Sequence, residues 1–151
     1  MAKKFIAGID IGTTNIKGSL FSTDGELISS SKITYPSFTP RENYHEQNPE
    51  DWVKGSLKAL NDLLINESIK NNLEAICLST QGGTVVPVDK NFKPLYRAIT
   101  YLDRRGIEIL GQKPGLKDRN IWFYNKTGWR IDLGLSFLSI YWLKEYEYLI
   151  F

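Results

Sequence analysis

The sequence predicts an α/β fold in which a mixed β-sheet is flanked by helices. Three observations carry that expectation. Strand-like runs fill residues 4–34, an amphipathic helix with a capping signal begins at Asn48, and another apolar strand-like run, Leu73–Ser79, follows that helix. A helix between two strands of one sheet supplies the crossover that a parallel pair needs, so hairpins and a parallel pair can share a sheet.

The first run, "FIAGI" (Phe5–Ile9), is nearly all apolar, as in a strand buried on both faces. The second, "IKGSLFS", alternates Ile16, Gly18 and Leu20 with Lys17, Ser19 and Phe21, the period of a strand with two different faces. The third is "ELISSSKIT". Between the second and third, Asp24-Gly25 gives the strongest short-range hairpin signal.

After a polar loop, "YPSFTPRENYHEQ", comes "NPEDWVKGSLKALNDLLIN". Asn48 suits an N-cap, Pro49 the first helical position, and Glu50 and Asp51 the positive end of the helix dipole. Val53, Leu57, Leu60 and Leu64 recur at spacings of four, three and four, which puts them on one helical face. "LEAICLS" and "TVVPV" read as strands joined by "STQGG", and "DKNFKP" as a turn. "LYRAITYL" is strand-like, "DRRGIEILGQ" starts a helix, "KPGLKDRN" is a loop, and about Gly134 to Tyr148 is a last helix.

With 151 residues the chain is expected to form one domain, spanning 1–151. Nineteen basic residues against seventeen acidic ones, with no basic run longer than a pair, predict no electrostatic hold on nucleic acid or membrane. No apolar stretch is long enough to cross a bilayer. The single cysteine, Cys77, lies among apolar residues and reads as a buried, inert thiol. One cysteine with one histidine argues against zinc, and His45 reads as a solvated loop residue. The four tryptophans, Trp52, Trp122, Trp129 and Trp142, read as packing residues. The absence of an internal disulfide fits a cytoplasmic protein.

The chemistry concentrates in "DIGTTN" (Asp10–Asn15). Gly12 lets backbone approach a ligand closely, and consecutive amides in such a turn can bind an anion. Thr13 and Thr14 add hydroxyl donors. Asp10 would repel a phosphate unless a Mg²⁺, keeping several waters, lies between them. Taken alone, such a turn after an aspartate is more often only a turn. Neither G-x-x-x-x-G-K-[ST] nor G-x-G-x-x-G occurs in the chain.

"AGIDIGTTNIKGSLFSTDGELI" resembles the first phosphate motif of the superfamily of actin, the heat-shock chaperones and the sugar kinases. Three later stretches narrow the resemblance to the FGGY family of carbohydrate kinases. They are "HEQNPEDWVKGSLKAL", "LSTQGGTVVPVDKNFKPLYRAITYLDRR" and "TGWRIDLGLSFLSIYWLKE". The resemblance runs in order from Phe5 to about Glu145. It implies a ribonuclease-H-like fold and transfer of the γ-phosphoryl group of ATP to a sugar or polyol hydroxyl. By the same resemblance, Asp10 holds Mg²⁺ through water, Gly12, Thr13 and Thr14 bind phosphates, and Gln81, Gly82, Gly83, Asp103 and Arg105 face the substrate. The competing reading of Asp103 and Arg105 is a structural ion pair at a helix start, and of "QGG" a plain tight turn.

Departures from the family pattern bear on specificity. Glycerol kinases carry arginine and glutamate where this chain has Gly82 and Gly83, and a tyrosine where it has Gly134. The usual tryptophan is Tyr101. Glycerol is therefore not the expected substrate, and the two glycines leave room for a bulkier or differently shaped sugar, or for side chains from elsewhere.

The resemblance also places the general base, the adenosine pocket and a second phosphate loop in a second domain beyond Phe151. The chain is thus expected to be the N-terminal part of such a kinase and inactive alone, with a homo-oligomer of the full-length enzyme compatible with the family. Two alternatives stand beside it: a non-catalytic actin-like module that binds sugar or nucleotide, and a remnant of a truncated gene, aggregating through Leu149, Ile150 and Phe151.

Overall fold

The computed structural model describes residues 3–150. In chain order its elements are β1 (Phe5–Ile11), β2 (Asn15–Ser22), β3 (Leu27–Thr34), β4 (Glu46–Gln47), α1 (Pro49–Leu63), α2 (Glu67–Asn71), β5 (Leu73–Thr80), β6 (Ala98–Ile99), α3 (Gly106–Gln112), α4 (Gly115–Asp118), α5 (Asn120–Thr127) and α6 (Ser136–Tyr146), then a 3₁₀ turn, Tyr148–Ile150. They form two compact units. One holds the chain up to Pro36 together with Asn48–Gln81; the other holds Ser37–Gln47 and the residues from Gly82 onward.

The first unit is a four-stranded mixed sheet in the order β3-β2-β1-β5. The β1–β2 and β2–β3 pairs are antiparallel, and β1–β5 is parallel. Gly25, at φ 90°, makes the β2–β3 turn that Asp24-Gly25 predicts. The crossover before β5 is α1 and α2. Asn48 caps α1 as expected, its side-chain oxygen accepting from the Glu50 amide at 3.2 Å.

The buried face of α1 is only in part the one the large apolar residues mark. Val53 and Leu57 are about 60% exposed, whereas Gly55, Ala59 and Leu63 are buried with Trp52, Leu60 and Leu64 packed alongside. Small residues decide the contact because they let the helix sit close to the sheet. A Cβ at Gly55 would lie 2.6 Å from Ile16 Cδ1, and one at Gly18 in β2 would lie 3.1 Å from Leu63 Cδ1.

Cys77 is exposed rather than buried. It lies on β5, an edge strand whose residues Glu74–Thr80 are exposed on both faces, so apolar neighbours in sequence do not enclose it.

The second unit holds β4 paired antiparallel with β6, and a core of Tyr44, Ile99, Ile109, Leu110, Ile131, Leu138, Trp142 and Leu143. Its strands are shorter than the apolar runs suggest. Thr84–Val88 makes only isolated bridges, Val85 to Ile99 and Val88 to Pro94, and Pro87 has no N–H to extend a ladder. Of Leu95–Leu102 only Ala98–Ile99 is strand. The 113–120 stretch, expected as a loop, contains the helical turn α4, and α5 follows it without having been expected.

The predicted helix starting after Asp103 is α3, and the last predicted helix is α6. Trp52 and Trp142 pack as expected, but Trp122 and Trp129 are exposed. Leu149 is exposed as well, while Phe151 lies outside the described residues. Among the described residues, no helix is long and apolar enough to cross a membrane.

Candidate functional site

The first unit builds the "DIGTTN" segment as a tight hairpin turn. The Gly12 amide donates to the Asn15 carbonyl at 3.1 Å, closing residues 12–15. Asp10 stands near the end of β1, opposite Lys17 on β2 and beside Ser79 on β5, with its carboxylate exposed. A Cβ on residue 12 would lie 3.2 Å from the Asn15 carbonyl oxygen and 3.6 Å from Asp10 Oδ2. Glycine therefore serves the turn by what it lacks. Its amide is committed to closing the turn, and of the two residues that follow Thr13 is half-buried and Thr14 exposed.

Two residues at the end of β3 brace this turn. Thr34 Oγ1 donates to Asn15 Oδ1 at 2.8 Å, and the buried Tyr35 hydroxyl donates to the Gly12 carbonyl. Burial raises the Tyr35 pKa, the Trp52 hydrogen bond to its oxygen opposes that rise, and the Asp10 charge adds to it.

Gln81 belongs to the same unit. The C-terminal ends of the parallel strands β1 and β5 lie side by side, Ile11 opposite Thr80, and the Gln81 amide donates to the Ile11 carbonyl at 3.0 Å. The turn and Gln81 therefore leave the same end of the sheet. In open α/β sheets, ligands bind in the crevice outside the carboxyl ends of parallel strands.

In the second unit Asp103 and Arg105 form a buried ion pair with a third member, Glu46. Arg105 Nε donates to Asp103 Oδ1 and Nη2 to Asp103 Oδ2, both at 2.9 Å, and Nη2 also donates to Glu46 Oε1 at 2.6 Å. The guanidinium lies 4.1 Å from the centre of the Tyr44 ring and 4.5 Å from that of Trp142. Burial works against its charge, but the bonds to Asp103 and Glu46 outweigh burial and hold the proton more tightly than in an ordinary arginine. Asp103 also accepts from the amides of Arg105 at 2.8 Å and His45 at 2.6 Å. Both side chains are thus turned into the protein.

His45 is half-buried rather than solvated, its Nδ1 2.7 Å from Thr100 Oγ1. Next to Thr100, the exposed Tyr101 is flanked by two of the glycines that the sequence singles out. A Cβ at Gly83, where φ is 69°, would meet Tyr101 Cβ at 3.2 Å, and one at Gly134 would lie 3.5 Å from the Tyr101 carbonyl. Gly82 faces open space. Among the described residues no three His, Cys, Asp or Glu side chains gather as a metal cage.

Sequence reasoning missed Tyr35, Thr34, Glu46 and Tyr44. Each acts through a partner distant in sequence, 23 residues for Tyr35 and Gly12 and 59 for Glu46 and Arg105, and no local motif announces such pairs.

The family model for the N-terminal domain of the FGGY family of carbohydrate kinases matches residues 5–150. A xylulose kinase of Lactococcus lactis is 36% identical over 102 residues, covering 67% of this chain and 20% of the relative. A glycerol kinase of Leptospira biflexa is 37% identical over 155 residues, covering 96% of this chain and 30% of the relative. The structure of gluconate kinase from Lactobacillus acidophilus superposes with a TM-score of 0.88 over 99% of this chain and 30% of its own, at 24% identity, a likeness of fold. The chain therefore spans about a third or less of the length of these relatives, and their three different names leave the sugar open.

Proposed function

The chain belongs to the FGGY family of carbohydrate kinases, and from that premise we propose that it is the phosphate- and sugar-binding N-terminal part of an enzyme that transfers the γ-phosphoryl group of ATP to a sugar or polyol hydroxyl. The observation that carries the proposal is the turn after β1. There a glycine whose Cβ would crowd the Asn15 carbonyl stands at the carboxyl end of a parallel strand pair, with an exposed carboxylate beside it.

Such transfer is mainly positioning and neutralisation of charge. Gly12 keeps the turn open to close approach, and Thr13 and Thr14 offer donors to phosphate oxygens. Asp10 would hold Mg²⁺ through water. An exposed carboxylate fits an ion that keeps several waters and takes its other ligands from phosphates. When bound, Mg²⁺ would neutralise charge on the phosphates.

Gln81, Gly82 and Gly83 would take the acceptor sugar. The Asp103–Arg105 pair, being buried, would serve it by fixing the backbone at His45 and at the start of α3. The glycines beside Tyr101 favour an acceptor larger than glycerol. The general base and adenosine pocket would lie in the part of the relatives' length that this chain does not span.

The test is titration of the ¹⁵N-labelled chain with ADP and ATP, with and without Mg²⁺. Movement of the Thr13 and Thr14 amides, dependent on Mg²⁺ and lost in Asp10→Asn, is the expected result. No response at the turn would overturn the phosphate assignment. Assay of the same chain with ATP across pentoses, hexoses and polyols should give no sustained turnover, and turnover would overturn the absence of the base.

A further inference from the structure

We infer that Tyr35 is a positioning residue for the phosphate turn: with Trp52 behind it, it locks the Gly12–Thr13 peptide in the one orientation that aims the Thr13 amide away from the end of β3. The inference rests on the phosphate reading of that turn and names residues that the family match does not assign.

The argument starts from the planarity of the peptide unit. In a trans peptide the carbonyl of one residue and the N–H of the next point in opposite directions. The Gly12 carbonyl accepts from the Tyr35 hydroxyl, so it points to the end of β3. The Thr13 N–H consequently points the opposite way. Gly12 carries no side chain to resist rotation of this peptide, and glycine populates more backbone conformations than any other residue. Left to itself, the unit could flip and turn a carbonyl oxygen toward an incoming phosphate. An inward-held carbonyl prevents that repulsion.

Tyr35 is fit for this task because it is itself fixed. It is buried in the first unit's core with Ala59 and Leu63. Its oxygen also receives a hydrogen bond from Trp52 of α1, whose indole N–H can only donate. The hydroxyl proton is thereby directed to Gly12, since the oxygen's acceptor side is occupied. Thr34 secures the other end of the turn through Asn15, so consecutive residues of β3 and the segment after it hold both ends of the four-residue turn. This chain of bonds, Trp52 to Tyr35 to Gly12, links α1 to the turn wholly within one unit.

The test compares the chain with Tyr35→Phe, which keeps the ring and removes the hydroxyl, and with Trp52→Phe, which removes the indole donor. Two readouts are taken: hydrogen exchange at the Gly12 amide, which closes the turn on the Asn15 carbonyl, and affinity for Mg·ADP. Losing one hydrogen bond corresponds to roughly a five- to tenfold change. Tyr35→Phe should speed exchange at the turn by about that factor and weaken Mg·ADP by a similar one. Exchange in the middle of β1 and β2 should stay as in the parent, which separates a local lock from general loosening. Trp52→Phe should show the same pattern to a smaller extent. Unchanged turn exchange in Tyr35→Phe overturns the lock, and so does faster exchange that extends equally through β1 and β2. If the parent chain binds no Mg·ADP while Tyr35→Phe still frees the turn, the phosphate reading falls and the lock stands.

Discussion

Arg105 Nη2 lies 2.6 Å from Glu46 Oε1, tying the start of β4 to the residue before α3 across 59 positions of sequence. Both side chains are buried, and Asp103 completes the group. Removing one partner from a buried ion pair leaves uncompensated charge, which costs far more than the pair itself contributes. Arg105→Ala should therefore destabilise the protein by about 3–5 kcal/mol in urea unfolding. Arg105→Lys should recover little, because an ammonium cannot reproduce the two-pronged contact with Asp103. A loss within 1 kcal/mol for Arg105→Ala would show that water reaches the two carboxylates.

Gly106, the first residue of α3, touches α6. A Cβ there would lie 2.9 Å from Leu138 Cβ, an atom fixed to the backbone and unable to swing aside. Alanine normally favours a helix over glycine by about 1 kcal/mol. Overpacking at this contact costs about 1–3 kcal/mol and acts in the opposite direction. Gly106→Ala should thus lower the unfolding midpoint, and a raised midpoint would show that α3 and α6 separate easily.

The two faces of α1 give a paired prediction. Leu57 is exposed, so Leu57→Ser should change stability by no more than about 0.5 kcal/mol. Leu63 is fully buried against the sheet, so Leu63→Ala should cost about 2–5 kcal/mol. Equal costs in thermal or urea unfolding would restore the stripe that the large residues alone suggest.

This helix shows how far the sequence could be read. Local signals were sound: Asn48 caps α1, Gly25 turns the β2–β3 hairpin, and the helix before β5 makes the parallel pair with β1. Orientation was legible only in part: Leu60 and Leu64 pack while Val53 and Leu57 do not, because Gly55 and Ala59 pack by being small and hydrophobic periodicity weights what is large. Cys77 misled for a related reason, since apolar neighbours mark a strand but say nothing of whether that strand is an edge. At the candidate site Asp10 and Gly12 were legible as a motif. Their brace, Tyr35, was not, because its role depends on a backbone carbonyl 23 residues away. The Asp103–Arg105 pair was legible as a pair, while Glu46 became part of it only through the fold.

Tyr44 sets the response to alkali. Its hydroxyl donates to Glu108 Oε1 at 2.9 Å, and its pKa is pushed from 10.0 up to about 12, first by burial and then by the bond and charge of Glu108. The fold thus favours the neutral phenol. Its contribution is fully present below pH 10, the unfolded value, and disappears as pH rises to about 12. Two pKa units correspond to about 2–3 kcal/mol, so unfolding free energy should fall by up to that much across this window. Tyr35 and Tyr96, also raised chiefly by burial, add in the same direction. Tyr44→Phe should lose about 1 kcal/mol at pH 8 with its hydrogen bond, yet show a shallower fall between pH 10 and 12. Urea unfolding followed by circular dichroism at pH 8, 10, 11 and 12 makes the comparison. An equally steep fall in Tyr44→Phe would assign the alkaline loss to the other two phenols.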